Sequence, residues 1–302
     1  MADRNTPNRP RQRIIERGIE LLLALCGSIS LLTTLGILGV LVWDSVAFFQ
    51  DVSILDFLTD TQWTPLFADK HFGILPLLSG TFLTTLIALL VALPLGLLIA
   101  CYLSEYVRPA VRNVLKPLLE LLAAIPTIVY GYFALTFVTP LLQHLIPGLA
   151  GFNALSPGLV MGFMLLPLVS SLSEDAMQAV PSGLREGAAA LGATRMQTAW
   201  RVIIPAAFSG VMVSVILAIS RAIGETMIVA VAAGQQPRLT LNPLVPVETI
   251  TTYIVQVSQG DVAQGSLEYN TIFAVGLSLF LLAFGLNTVG YFLNRRYREH
   301  YD

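Results

Sequence analysis

Six long apolar stretches limit what this chain can fold into. About 20 consecutive apolar residues cross the hydrocarbon core of a membrane as a helix. The 302-residue chain has six segments of roughly this size with few or no charges. They lie at approximately 21–43, 77–103, 117–142, 155–173, 208–233 and 271–293. We therefore expect an all-α membrane protein with six transmembrane helices.

The basic residues fall almost entirely on one side of this arrangement. All but three of the 17 lysines and arginines flank helix ends that would share a face with the N-terminus. Lys70 and Arg238 lie on the opposite face, and Arg221 lies within the fifth stretch. The positive-inside rule then places both termini and the two basic loops in the cytoplasm. We expect a flexible basic cytoplasmic tail over 1–17 and a transmembrane domain over 18–302.

The sequence lacks the motifs of nucleotide and metal sites, and it lacks the positive net charge typical of nucleic-acid-binding proteins. Lys70 and Lys116 are the only lysines and neither follows a glycine, so the chain has no P-loop. Cys26 and Cys101 lie in apolar stretches, off any metal-ligand spacing, and are expected to be packing residues. A net charge of −2 indicates no nucleic-acid partner. We expect no enzyme activity and no cofactor or metal in this chain.

The loop at approximately 181–205 carries the most specific motif. Glu186-Gly-Ala-Ala-Ala-Leu-Gly192 is followed, after nine residues, by Val202-Ile-Ile-Pro205. Pro181 and Ser182 can open a short helix, with Ser182 as its N-cap. The alanines and glycines of such a helix would let another protein's backbone come close. The alternative is an ordinary alanine-rich surface helix.

This spacing resembles the EAA loop of ABC-importer permeases, which reads E-A-A, three residues, G, nine residues, I-x-L-P. Gly187 replaces the first alanine, and Val202 and Ile204 replace isoleucine and leucine. The resemblance implies that the loop couples an ATPase subunit to the membrane helices. The residues that would do so are Glu186, Gly187, Ala188, Gly192 and Pro205.

Two charged residues lie inside the fifth stretch, in Arg221-Ala-Ile-Gly-Glu225-Thr. Four positions apart on a helix, they would share one face. Charges within a membrane are costly and usually face a wet pathway. Arg221 offers a planar fork of donors to an oxyanion. Glu225 could accept a hydrogen bond from a protonated phosphate oxygen, or it could neutralise Arg221. The alternative is a purely structural pair. We favour the pathway because burying both charges is expensive.

The same segment, R-A-I-G-E-T, resembles the permeases of the phosphate-specific (Pst) transport system. The Met-Ile-Val that follows is similar to PstC-type rather than PstA-type subunits. Segments Gly80–Thr85, Leu93–Tyr106 and Ile125–Gly131 also fit that family. The resemblance implies a type I ABC-importer permease fold in a bacterial inner membrane, with this chain forming half of a path for inorganic phosphate. Thr127 and Tyr130, beside Pro126, would line that path, although helix–helix hydrogen bonding is their favoured role.

The resemblance also implies the partners. They are a second permease of the PstA type, a dimer of PstB-type ATPases that would hold ATP and magnesium, and a periplasmic phosphate-binding protein of the PstS type. This chain would also contact membrane lipid. Two alternatives remain open. One is a permease for another oxyanion, such as phosphonate, sulfate or molybdate, with Glu225 as the discriminating residue. The other is a membrane scaffold that senses phosphate.

Overall fold

The computed structural model describes residues 10–297, and their regular structure is helical apart from two isolated β-bridges. We number the helices in chain order. They are α1 (Pro10–Asp51), α2 (Ile54–Thr59), α3 (Leu75–Glu105), α4 (Pro109–Ala123), α5 (Thr127–Leu145), α6 (Leu155–Gln178), α7 (Ser182–Ala190), α8 (Arg195–Ala206), α9 (Phe208–Ile223), α10 (Met227–Ala232), α11 (Ile250–Gln259) and α12 (Leu267–Tyr297).

Five of these helices, α1, α3, α5, α6 and α12, are each long and apolar enough to cross a membrane. The fifth predicted stretch is covered by α9, which has 16 residues, and by α10 after a three-residue break. Helix α8 meets α9 at a bend of 73°, and this pair is long and apolar enough, taken together, to be a sixth span. The predicted all-α membrane fold is confirmed.

Three predicted boundaries differ from the structure. The tail predicted over 1–17 is helical from Pro10 onward, where proline suits a first helical turn. Residues 1–9 of that tail lie outside the described residues. The helix predicted over 117–142 is two helices, because Pro126 has no N–H and disfavours helical geometry at Ile125. The helix predicted over 208–233 breaks at Gly224–Thr226.

Helices α3 and α6 pack together through glycines. A Cβ added to Gly162 of α6 would lie 2.7 Å from Cβ of Val91 and 2.9 Å from the carbonyl oxygen of Ala88, both on α3. A Cβ added to Gly96 of α3 would lie 2.7 Å from Val169 on α6. Small residues allow such close approach between membrane helices, where packing replaces the hydrophobic effect as the source of association. The α3–α6 pair therefore forms the centre of the bundle.

Contacts across the chain define two ends of the bundle. At one end, which we call the coupling end, Arg185 after α6 bonds Glu105 at the end of α3. At the other end, which we call the outer end, Ser79 at the start of α3 donates to the carbonyl of Thr240 at 2.7 Å. Alternating spans thus place the 106–126 and 179–207 connections together and away from the 52–74 and 233–249 connections.

The glycine contact can be tested with Gly162→Val. Overpacking of this kind costs about 1–3 kcal/mol, so the variant should show a lower thermal unfolding temperature in detergent and a lower yield of folded protein. The matched control is Gly285→Val on α12, where an added Cβ meets nothing within 4 Å. Both changes introduce valine into a helix, so equal losses of stability in the two variants would contradict the packing argument.

Candidate translocation pathway and coupling surface

The break in the fifth span is organised by Glu225. Helix α9 ends at Ile223 with Gly224 as its C-cap. The Oε1 atom of Glu225 then accepts hydrogen bonds from the backbone N–H groups of Met227 at 3.1 Å and Ile228 at 3.4 Å. These N–H groups belong to the first turn of α10 and have no partner within the helix. The Glu225 side chain therefore caps the N-terminus of α10, the helix that follows the break.

Arg221 and Glu225 do not share a helical face, because the helix ends between them. Arg221 lies in the last turn of α9 and is exposed, whereas Glu225 is 8% exposed. The described residues give Arg221 no hydrogen-bond or ion-pair partner. A guanidinium left open within a membrane span is available to an anion or to another subunit.

Helix α5 lies directly against α10. A Cβ added to Gly131 would lie 3.0 Å from the carbonyl oxygen of Met227 and 3.2 Å from Cα of Ile228. The predicted pathway residues Thr127 and Tyr130 are on the preceding turn of α5 and are both half-buried. The Tyr130 hydroxyl donates to the carbonyl of Leu122 on α4 at 2.8 Å, across the Pro126 break. The hydroxyl of Thr127 has no hydrogen-bond partner among the described residues.

A run of threonines links the Glu225 break to the outer end. Thr251 at the start of α11 donates from its hydroxyl to the carbonyl of Glu225 at 2.8 Å. The hydroxyl of Thr249 lies 2.8 Å from that of Thr252 and caps the same helix. The backbone N–H of Ile250 donates to Thr81 Oγ1 of α3 at 3.1 Å. The short helix α11 is therefore hydrogen-bonded both to the break and to the central helix α3.

The predicted coupling loop forms two short helices joined by a tight turn. Its first helix, α7, starts at Ser182, and Pro181 rather than Ser182 occupies the N-cap position. Gly192 has φ +79°, which glycine adopts at little cost. Thr194 and Gln197 then form a capping box that begins α8. The glycine and the cap together fix the direction in which the loop returns to the membrane.

Two of the predicted coupling residues, Ala188 and Gly192, have a structural role within this subunit. Ala188 is buried against its own chain, so its small size serves packing within this subunit. Glu186, Gly187 and Pro205 are exposed. A Cβ added to Gly192 would meet nothing within 4 Å, so this glycine is explained by its backbone conformation.

The sequence motif did not include several exposed apolar side chains around this loop. Leu191 is 90% exposed, and Met196 and Trp200 are also largely exposed. Large apolar side chains left exposed are typical of a contact with another protein or with the membrane when they form a patch. The sequence alone could not distinguish these three residues, because apolar residues are common throughout this chain.

Arg185 fastens the coupling loop to the membrane helices. Its guanidinium pairs with the Glu105 carboxylate at the end of α3, with Nη2 to Oε1 at 3.0 Å. It also donates to the carbonyls of Met177 and Val180 at 2.8 and 2.7 Å, where α6 ends and its last carbonyls lack regular helical partners. Sequence reasoning counted Arg185 only as a cytoplasmic positive charge, because its partner Glu105 is 80 residues away.

Two buried polar groups at the outer end were also missed. Trp63 and Glu248 line a cavity of about 320 Å³. The indole Nε1 and the Glu248 Oε1 atom are both buried without a hydrogen-bond partner. Burial raises the pKa of the Glu248 carboxyl to about 8. Glu248 therefore binds a proton far more readily than an exposed carboxylate.

No group of histidine, cysteine, aspartate or glutamate residues in the described part of the chain is arranged to hold a metal ion. The pathway residues offer hydrogen bonds and charge. Arg221 and the hydroxyl of Thr127 are open donors, and Glu225 has a carboxylate of which one oxygen already accepts two backbone hydrogen bonds.

Comparison with known proteins identifies the family. Residues 92–299 match the family described as binding-protein-dependent transport system inner membrane component. The probable ABC transporter permease protein YqgH of Bacillus subtilis is 36% identical over 233 residues, covering 77% of this chain and 75% of the relative. The phosphate transport system permease protein PstC of Mesorhizobium japonicum is 33% identical over 247 residues, covering 76% and 74%.

Solved structures agree in fold. A bacterial ABC transporter involved in alginate import has a subunit that is 19% identical, with a TM-score of 0.63, covering 96% of this chain and 100% of the other. The MetNI methionine ABC transporter in an inward-facing conformation gives a TM-score of 0.55 at 18% identity, covering 75% and 95%. This chain therefore belongs to the family of binding-protein-dependent transport system inner membrane components, as a PstC-type permease subunit rather than an enzyme.

Proposed function

We propose that this chain is one of two permease subunits of an ATP-driven importer of inorganic phosphate. The observation that carries the proposal is the open guanidinium of Arg221 beside the capped break at Glu225, within a chain whose relatives include phosphate transport permeases. The chain would form half of the pathway. A second permease of the PstA type would supply the other half.

The remaining components would be separate proteins. A dimer of PstB-type ATPases would hold ATP and magnesium and dock on the coupling end, and a periplasmic binding protein of the PstS type would deliver phosphate to the outer end. Closure of the ATPase dimer would be passed through α7 and α8 to the membrane helices. No cofactor is assigned to this chain.

Arg221 would act as a way-station rather than a tight site, because strong binding would hold the ion in the pathway. Its planar fork suits the oxygens of a phosphate. The second oxygen of Glu225 would accept a hydrogen bond from the protonated oxygen that phosphate carries and sulfate lacks at neutral pH. A permease for phosphonate, sulfate or molybdate is the second candidate, since Arg221 alone would serve any of these oxyanions.

The pathway residues are tested by uptake into vesicles that hold this chain and its co-purified partners. Arg221→Gln should abolish phosphate uptake without loss of assembly, and Arg221→Lys should restore only part because ammonium lacks the fork. Glu225→Gln keeps an oxygen that can cap α10, so the fold should persist while selectivity for phosphate over sulfate falls. Glu225→Leu is the control for loss of the cap.

Phosphate uptake at the parental rate by both Arg221→Gln and Glu225→Gln would exclude these residues from the pathway. Restored uptake in the Arg221→Gln/Glu225→Gln double variant alone would indicate a structural pair. Equal uptake of phosphate and sulfate by the parent complex would favour the broader oxyanion permease.

The coupling surface is tested by Gly187→Leu. Gly187 is exposed on α7 and an added Cβ meets nothing within 4 Å, so the change should leave this chain's fold intact. If an ATPase backbone approaches here, leucine should weaken co-purification of the ATPase and reduce uptake. Gly187→Ala, which adds one methyl group, is the matched control. Unchanged co-purification and uptake with Gly187→Leu would show that the ATPase docks elsewhere.

The orientation is tested by single cysteines in a Cys26→Ser/Cys101→Ala background. The distribution of lysine and arginine supports a cytoplasmic coupling end and cytoplasmic termini. Cysteines at Asn5, Arg195 and Asp302 should resist an impermeant thiol reagent in intact cells, and a cysteine at Asp60 should react. Labelling at Arg195 from outside would reverse the proposed orientation.

A further inference from the structure

Helix α4 lies at the coupling end without a buried residue. Its apolar side chains Val114, Leu118 and Leu121 are all more than half exposed. It is therefore not held by burial of apolar surface within this chain. Its contacts with the rest of the subunit are made chiefly with α6 and involve charged side chains.

The attachment centres on Glu174, whose side chain is completely buried near the end of α6. Arg112 of α4 forms an ion pair with its Oε1 atom, and Lys116, one turn later on α4, donates to its Oε2 atom at 2.9 Å. Lys116 also donates to Asp175 at 2.5 Å. A buried carboxylate is tolerated only when it is paired, so removing its partners is far more costly than losing a surface ion pair.

The same end of α6 also holds the coupling loop. Arg185 of α7 donates to the carbonyl of Met177, less than one turn after Glu174, and to the carbonyl of Val180. The end of α6 is thus bonded on one side to the coupling helix α7 and on the other side to α4. A displacement of α7 that moves the end of α6 reaches α4 through the Glu174 ion pairs.

The far end of α4 lies at the Pro126 break. Tyr130 of α5 bonds the last turn of α4 through the carbonyl of Leu122, and Gly131, the next residue, lies against Met227 of α10. Movement of α4 therefore acts on the part of α5 that packs beside the Glu225 break. The contacts form a continuous series from α7 through α6, α4 and α5 to α10.

We propose that Arg112 and Lys116, bound to Glu174, are positioning residues that make α4 a lever between the coupling loop and the Pro126 break. This inference rests on the proposed function and names residues through which ATPase motion reaches the pathway. Helices α4 and the end of α6 move as one body, and the Pro126 break is where α5 changes direction relative to them.

The first test is Glu174→Gln in the complete transporter, with phosphate uptake and ATP hydrolysis measured in the same vesicles. The amide keeps the shape but loses the charge that holds both cations. Phosphate carried per ATP hydrolysed should fall by roughly fivefold or more, the lower range of ordinary coupling between sites, while the ATPase stays bound. The matched control is Glu120→Gln on α4, an exposed glutamate that has no ion-pair partner among the described residues.

A change in assembly alone, in Glu174→Gln, would indicate a structural role. A second test therefore replaces the ion pair between Lys116 and Asp175 with a covalent link. Lys116→Cys and Asp175→Cys are introduced together in the Cys26→Ser/Cys101→Ala background. Phosphate carried per ATP should be low before treatment and should rise toward the background value when a short bifunctional thiol reagent joins the two cysteines. The same reagent should have no effect on the variant with Lys116→Cys alone.

Two results would overturn the inference. One is an unchanged ratio of phosphate to ATP in Glu174→Gln. The other is a cross-linked pair that carries no more phosphate than the untreated protein, because α4 and α6 would then have to move relative to each other. Failure of the proposed function is separate: it would appear as absent phosphate uptake by the parent complex, before any variant is compared.

Discussion

The glycines Gly96, Gly158 and Gly162 bring α3 and α6 so close that a methyl group at any of them would overlap the neighbouring helix. The other parts of the bundle are placed relative to this contact. The end of α3 carries Glu105, which receives Arg185 of the coupling loop, and the end of α6 carries Glu174, which receives α4. At the outer end, the start of α3 bonds the 233–249 connection and the start of α11. A change in the α3–α6 spacing would therefore alter both ends together.

The sequence predicted the spans and failed at their interruptions. Apolar length is a local property, so the six stretches were found without knowledge of their neighbours. The three-residue break at Glu225 could not be found in this way, because Gly224 and Glu225 each occur within helices of other proteins. Here the glutamate side chain bonds the next two backbone N–H groups beyond Thr226 instead of facing Arg221. Pro126 could be identified in the sequence as a cause of a break. Nothing in the sequence indicated that the residues before it form a separate helix, α4.

For the predicted coupling residues too, the sequence indicated where they lie but not the role of each residue. The spacing from Glu186 to Pro205 located the loop, whereas the roles of Ala188 and Gly192 needed the structure. Ala188 is small because it packs inside its own chain, and Gly192 is a glycine because of its positive φ. Glu174 and Glu248 had no motif around them, and the motif next to Arg185 did not indicate its bond to Glu105. Their partners or their burial arise from segments distant in sequence, and a single sequence does not contain that information.

The unpaired guanidinium of Arg221 affects the insertion of the newly made subunit into the membrane. An arginine within a membrane span raises the free energy of insertion, by about 2.5–3.5 kcal/mol when it lies at the helix centre, and no ion pair among the described residues offsets the charge of Arg221. A newly inserted copy without its neighbour therefore carries an uncompensated charge in the lipid, together with apolar faces that have no protein against them. The same unpaired positive charge that leaves Arg221 available to an anion therefore raises the free energy of the subunit when it is alone in the lipid.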